Sequence, residues 1–311
     1  MTVNEWPALD WQDGRGSALH LQLMTQIVGK VRIALTPWLN HGWHVPLYVT
    51  PRGLGTSLIP SGAGAFEIDF DLRTHVLRIA TVRDTRTLPL EAGTVASFYD
   101  SVMEALRQLG IEVTIATLPN EMPDPIRFPG DHSRRPYDRD WIERFHDVLV
   151  RVDHVFKQFR TGFLGKASPV HFFWGSFDLA VTRFSGRAAP QHPGGVPGLP
   201  DAVTREAYSH EVSSAGFWPG SDASPRAAFY SYAWPAPPGF AEAPVRPAGA
   251  RFDGSLGEFL LDYETVRTAP DPEATLLEFL QSTYQAAATL GDWDRRALEC
   301  APGNPRQPRE V

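Results

Sequence analysis

The sequence predicts an α+β protein made of two pseudo-symmetric α-β-α halves, whose mainly antiparallel sheets form a shared cleft. Three observations carry this expectation. Helix-period and strand-period stretches follow one another in the same order twice, Pro- and Gly-rich segments fall between them, and the closing helices of the two halves match in register. With 311 residues, 42% of them hydrophobic, the chain can bury one large or two ordinary cores.

The first half opens with "SALHLQLMTQIVGKVRIAL", where Leu19, Leu23, Ile27, Val31 and Leu35 form a helical stripe, with Ser17 as its cap and Pro37 as its stop. "HVPLYVTPRG", "AFEIDFDLRTHVLRIATV" and "TRTLPLE" alternate as strands broken by Gly, Asp and Thr turns. Residues 94–109 return to helical period and end at Gly110, followed by a short strand, "EVTIAT". The Pro-rich stretch 118–138 cannot be a regular helix and serves as the connector.

The second half begins again with a helix, "DRDWIERFHDVLVRVDHVFKQFRTGF", and a β-rich run, "VHFFWGSFDLAVTRFSG", read as one strand. A surface loop over 188–203, dense in Pro and Gly, precedes further strands in "AYSHEVSSAGFW", "AAFYSYAWP" and "GEFLLDYETV". A last helix covers 272–290. The resulting division is a first repeat over 1–117, the connector over 118–138, a second repeat over 139–298 and a disordered tail over 299–311.

The repeat is supported by register. Phe98, Ser101, Glu104, Ala105, Leu109 and Gly110 correspond at one offset to Phe279, Ser282, Gln285, Ala286, Leu290 and Gly291. His44 aligns with His171, each opening the first strand after a long helix. Removing the loop over 188–203 pairs Glu67 with His210, or with Glu211 on a one-residue slip. Arg32 and Arg160 correspond if the opening helices align with one gap.

Composition narrows the function classes. With 29 basic against 36 acidic residues there is no uniform positive field for a phosphate backbone, so nucleic acid is not an expected partner. One cysteine, Cys300, allows neither an internal disulfide nor a Cys-based zinc cage. The N-terminus has no basic region followed by an apolar core, and no run approaches ~18 apolar residues, so a cytoplasmic protein without a membrane partner is expected. Phosphate-binding G-x-x-x-x-G-K-[ST], strand-linked G-x-G-x-x-G and nucleophilic G-x-S-x-G patterns are all missing.

If equivalent strands meet near a two-fold axis, His44, His171, His210 and Glu67 converge there. Three imidazoles and a carboxylate suit a divalent transition metal such as iron, zinc or manganese with open coordination positions. Glu211, Asp178 and Arg160 are then the acid, base and charge-holding candidates, while Trp174, Phe173, Tyr208, Trp218 and Arg32 would hold the substrate. The leading expectation is a metal-dependent enzyme, a hydrolase or an oxidoreductase, acting on a small organic substrate that is aromatic or carries a carboxylate. Its alternative is a cofactor-free enzyme or small-molecule binding protein that uses the same His, Arg and aromatic cleft. The plain structural roles compete with both: a satisfied core histidine, and surface salt bridges for Arg32, Arg160 and the carboxylates of "FEIDFD".

The stretches "LQLMTQIVGKVRIALTPWLNHGWHVPLYVTPRGL", "FEIDFD", "SPVHFFWGSFDLAVTRFSGR" and "TREAYSHEVSSAGFWPG" resemble a bacterial family of about this length, catalogued as domain of unknown function five-nine-nine-six. The resemblance covers nearly the whole chain. It implies one intact unit and supplies no reaction or catalytic residues.

Overall fold

The computed structural model describes residues 5–62, 64–196 and 198–309. Helix α1 (Trp11–Leu35) starts before the predicted Ser17, because Asp10 caps it, its carboxylate accepting from the Gln12 N–H at 2.7 Å. Ser17 is instead buried and accepts from the Asp138 N–H at 2.8 Å. Strands β1 (Tyr48–Thr50), β2 (Gly53–Gly55), β3 (Ile59–Ser61), β4 (Gly64–Asp71), β5 (Val76–Thr81) and β6 (Thr85–Pro89) form an antiparallel sheet ordered β1-β2-β4-β5-β6, with β3 also on β4. After β7 (Gly93–Thr94) comes α2 (Val95–Gln108), which Thr94 caps and which ends before Gly110 at φ 73°, as the residue pattern requires. The expected strand in "EVTIAT" is not formed: Ile111 and Ile115, four apart, are buried by packing, and the segment joins no strand among the described residues, its end being held by the Phe128 N–H on the Thr117 carbonyl at 2.9 Å.

Within the connector, β8 (Arg134–Arg135) pairs with β7. Helix α3 (Arg139–Thr161) follows, capped by Asp138. The run read as one strand is a hairpin of β9 (His171–Phe173) and β10 (Asp178–Ala188), with Phe177 at φ 59° in the turn between them. Helix α4 (Asp201–Ala207) leads into β11 (His210–Trp218), then β12 (Ala228–Trp234), β13 (Arg251–Asp253), β14 (Glu258–Asp262), α5 (Tyr263–Arg267), α6 (Pro272–Leu290) and α7 (Arg295–Leu298). The second sheet is antiparallel in the order β13-β14-β12-β11-β10-β9. The fold is α+β with antiparallel sheets. No helix among the described residues is long and apolar enough to cross a membrane.

The sheets meet where Leu47, just ahead of β1, and Phe172 of β9 exchange both backbone hydrogen bonds at 2.9 Å. One continuous hydrophobic core then takes residues from both sides of the connector. Strand parity separates two faces. Leu54, Phe66, Ile68, Phe70, Phe172, Leu179, Val181, Phe217 and Phe229 belong to the core. The registers put Tyr48, His171, Phe173, Asp178, Thr182, Ser214, Tyr230 and Tyr232 on the opposite face, where polar groups collect.

Residues 299–309, expected to fray, lie along the end of α3. Leu164 donates to the Leu298 carbonyl at 2.7 Å, Cys300 to that of Gly162 at 3.3 Å, and Gly303 to the Thr161 hydroxyl at 3.0 Å. These bonds take up polar groups at and just beyond the helix end.

Candidate functional site at the junction of the sheets

The last turns of α1 and α3 bring Arg32 and Arg160 to His171 on β9. Cations are favoured there by the negative helix C-termini. Arg32 is only 5% exposed, yet its Nε and Nη1 have no hydrogen-bond acceptor, and its guanidinium lies 5.2 Å from the Tyr48 ring. Nε of Arg160 is buried and equally unsatisfied, as is Nε2 of His171, which is 1% exposed. Burial pushes the His171 imidazole down to about 3, and the charges of Arg32 and Arg160 push in the same direction, so the ring is neutral at physiological pH. Burial also lowers Arg160, against which Asp153 works. Asp153 itself is paired with Lys157 at 2.6 Å. Aromatic walls complete the corner: Trp43, Tyr48 and Phe173 lie 5.9, 5.7 and 5.5 Å from His171.

Trp43 continues the site toward a second group. His41 stands 5.4 Å from Trp43, 4.6 Å from Phe184 and 5.6 Å from His210. Its Nδ1 bonds the Ala207 carbonyl at 3.0 Å, so Nδ1 carries the proton and Nε2 accepts from Lys166 at 2.6 Å. Glu206 accepts from the His41 backbone N–H at 2.8 Å, while its other oxygen is buried without a partner. Burial lowers His41, and Lys166 adds to that shift. His44 accepts from the Leu39 N–H at 3.3 Å and packs at a tilt against Trp38 at 4.6 Å; burial lowers it, and Arg32 lowers it further.

A third group lies farther along the same face. Asp178 accepts from the hydroxyls of Ser176 and Tyr230, and burial raises it to about 6 against the effect of those bonds. Glu121 and Glu258 are each raised to about 7, by burial first and by Asp178 second. Tyr208 and Tyr232 share a 2.8 Å hydroxyl contact, and Thr182 and Ser214 another at 2.8 Å. His192, from the Pro- and Gly-rich loop, stacks on Tyr208 at 5.0 Å and lies 4.5 Å from Trp234.

Of the residues singled out by sequence, Arg32, Arg160, His171 and Phe173 come together, with His44 close to Arg32. His210 joins the His41 group, its Nδ1 3.1 Å from the Ser209 hydroxyl. Asp178 and Tyr208 belong to the carboxyl and tyrosine group, and Trp218 packs at a tilt against Tyr230 at 4.9 Å. Trp174 packs on Gly29 of α1 and donates to the Val45 carbonyl at 2.9 Å, tying the turn after β9 to α1 and to the segment before β1. Glu211 binds Arg187 at 2.7 Å, and Arg187 also reaches the Gly291 and Asp292 carbonyls beyond α6. Glu67 is paired with Arg78 at 3.0 Å, and β4 lies three strand steps from β9, roughly 14 Å at ordinary strand spacing. Among the described residues, no three His, Cys, Asp or Glu are grouped so as to hold a metal ion.

Sequence reasoning passed over Trp43, His41, Lys166 and Glu206. The signal available was local: "NHGWH" places His41 and Trp43 just ahead of His44, and Lys166 precedes His171 by five residues. An open hollow of about 480 Å³ between Trp11, Arg226, Asp262 and Thr268 takes none of the predicted residues.

A model of the Family of unknown function (DUF5996) matches residues 6–300, so the chain belongs to that family. No curated protein and no solved structure matches it.

Proposed function

We propose that the protein binds a small organic anion, a carboxylate or phosphate ester, at the junction of the two sheets, with Arg32 and Arg160 as the charge clamp and neutral His171 as a further hydrogen-bonding group. One observation carries this reading: buried guanidinium N–H groups from two helices stand without acceptors beside an imidazole that also lacks one. Water would satisfy such groups if they were exposed. Buried, each missing acceptor costs about 1–3 kcal/mol, and an anionic oxygen supplies what is missing. Planar forks of N–H donors favour carboxylate and phosphate over a point anion. The walls of Trp43, Tyr48 and Phe173 suit an apolar or ring-bearing body.

The reading is supported by the sequence correspondence of Arg32 with Arg160 and of His44 with His171, which flank a backbone pairing between the halves. An internal doubling of the chain is therefore part of the proposal. The same side chains would serve either a binding protein or an enzyme in which histidine moves a proton.

The test is isothermal titration of the metal-free protein with a panel of carboxylates and phosphate esters, repeated on Arg160→Gln. Saturable binding weakened at least tenfold by the substitution is expected. Binding that appears only after iron, zinc or manganese is added, and that ignores Arg160, would replace this reading with a metal site.

A further inference from the structure

We propose that Lys166 is a nucleophilic amine, activated by His41, which condenses with the carbonyl group of a small carbonyl compound to form an imine. That this compound is also an organic anion rests on the function proposed above; the amine chemistry stands on its own geometry.

Lys30, Lys157 and Lys166 are the only lysines in a chain with 29 basic residues. Lys30 is bonded to the Asn120 side chain, and Lys157 is paired with Asp153. Lys166 makes no ion pair among the described residues. Its hydrogen-bond partner is the Nε2 of His41 at 2.6 Å, and its ammonium lies 5.1 Å from the Trp43 ring and 4.9 Å from the Phe184 ring. A carboxylate partner would hold the amine protonated. A neutral imidazole between aromatic walls is a base placed to take the proton away.

The base is itself oriented. His41 is held through Nδ1 by the Ala207 carbonyl at 3.0 Å and through its backbone N–H by Glu206 at 2.8 Å, both from α4. Its backbone is left-handed, at φ 60°, and these two bonds keep it there. Nucleophile, base and orienting group thus stand in hydrogen-bonding sequence, the arrangement that activates a side-chain nucleophile. Burial lowers Lys166, in the direction the chemistry needs, while Glu206 opposes it. The Trp43 ring that borders Lys166 also lies 5.9 Å from His171, so the reactive amine and the anion clamp share a wall.

In the reaction, the ammonium gives a proton to Nε2 of His41, and the free amine attacks the carbonyl carbon. The oxygen takes up protons and departs as water, leaving a carbon–nitrogen double bond to Lys166. One amine and one carbonyl yield one imine and one water, with no oxidant or reductant.

The experiment treats the full chain with pyruvate or with propanal in the presence of borohydride, and maps the reduced adduct by peptide mass spectrometry. Lys157, exposed like Lys166 but paired with Asp153, is the internal control. The expected result is labelling of Lys166 at least tenfold above Lys157, abolished in Lys166→Arg and slowed tenfold or more in His41→Gln, with both variants checked for native melting. Equal labelling of Lys157 and Lys166, or labelling of Lys166 that is undiminished in His41→Gln, would overturn the proposal. If propanal labels Lys166 selectively and pyruvate does no better, the amine stands and the anion reading falls.

Discussion

Replacing Arg32 by Met should make the unliganded protein more stable while removing its response to anions. The side chain is 5% exposed and leaves two N–H groups without acceptors, each worth about 1–3 kcal/mol in desolvation. Met keeps most of the buried length and carries no donor. Lost are the stacking of the guanidinium over Tyr48, about 0.5–2 kcal/mol, and its interaction with the end of α1, about 0.3–1 kcal/mol. The balance is a gain of roughly 1–3 kcal/mol, which for a chain of this size is a rise in melting temperature of about 2–6 °C. The opposite order holds with ligand: at 100 times its dissociation constant an anion adds about 2.7 kcal/mol to the native protein and nothing to a variant that does not bind it. Thermal melts with and without sulfate, phosphate and organic carboxylates, at matched ionic strength, measure both effects together. Refutation would be an Arg32→Met protein that melts well below the native one and keeps the full anion response. That outcome would make Arg32 a structural cation whose partner was overlooked.

Gly29→Ala tests the joint between α1 and the turn after β9. An added Cβ would lie 2.1 Å from the Trp174 indole nitrogen, so the ring must move and its bond to the Val45 carbonyl is lost. A loss of roughly 2–4 kcal/mol in urea denaturation is expected, outweighing the gain in helix propensity of about 1 kcal/mol, and unchanged stability would show the indole to be loosely held. Glu258→Gln tests the carboxyl group. Because the folded value is raised to about 7 from 4.5, chiefly by burial and then by Asp178 and Asp253, the folded form keeps a proton that the unfolded chain releases. Its stabilising contribution is therefore full below pH 4.5 and is lost as pH rises to about 7. Denaturation of the two proteins should agree near pH 4 and diverge toward pH 8, the glutamine form being more stable by roughly 1–3 kcal/mol. A difference that does not vary with pH would refute the assignment.

Much of the fold was readable from periodicity. The closing helix over Pro272–Leu290 and the helix Val95–Gln108 fall within a residue or so of the ranges that helical period and Gly110 set, since these signals are local, while their N-caps, Asp271 and Thr94, emerge from the structure. Errors came where a non-local partner decides. "EVTIAT" has strand composition but no neighbouring strand, and the turn inside "HFFWGSFDL", where Gly175 was the available signal, places its left-handed residue at Phe177 instead of at the glycine. Glu67 and His171 share a parity, which sequence shows, but stand three strands apart, which it does not.

The four long helices, the split of "FEIDFD" into a buried and a polar face, and the choice of Arg32, Arg160 and His171 as candidates were determined by the sequence alone, because periodicity and side-chain chemistry are properties of the residues themselves. Tertiary structure alone decided that these three meet without an acceptor among them, that His41 turns its free nitrogen to Lys166, and that Glu67 and Glu211 are spent on arginines. The reason is physical. Which groups lose water together, and which are left unpaired when they do, depends on distances between segments far apart in the chain, and nothing in a local pattern encodes those distances.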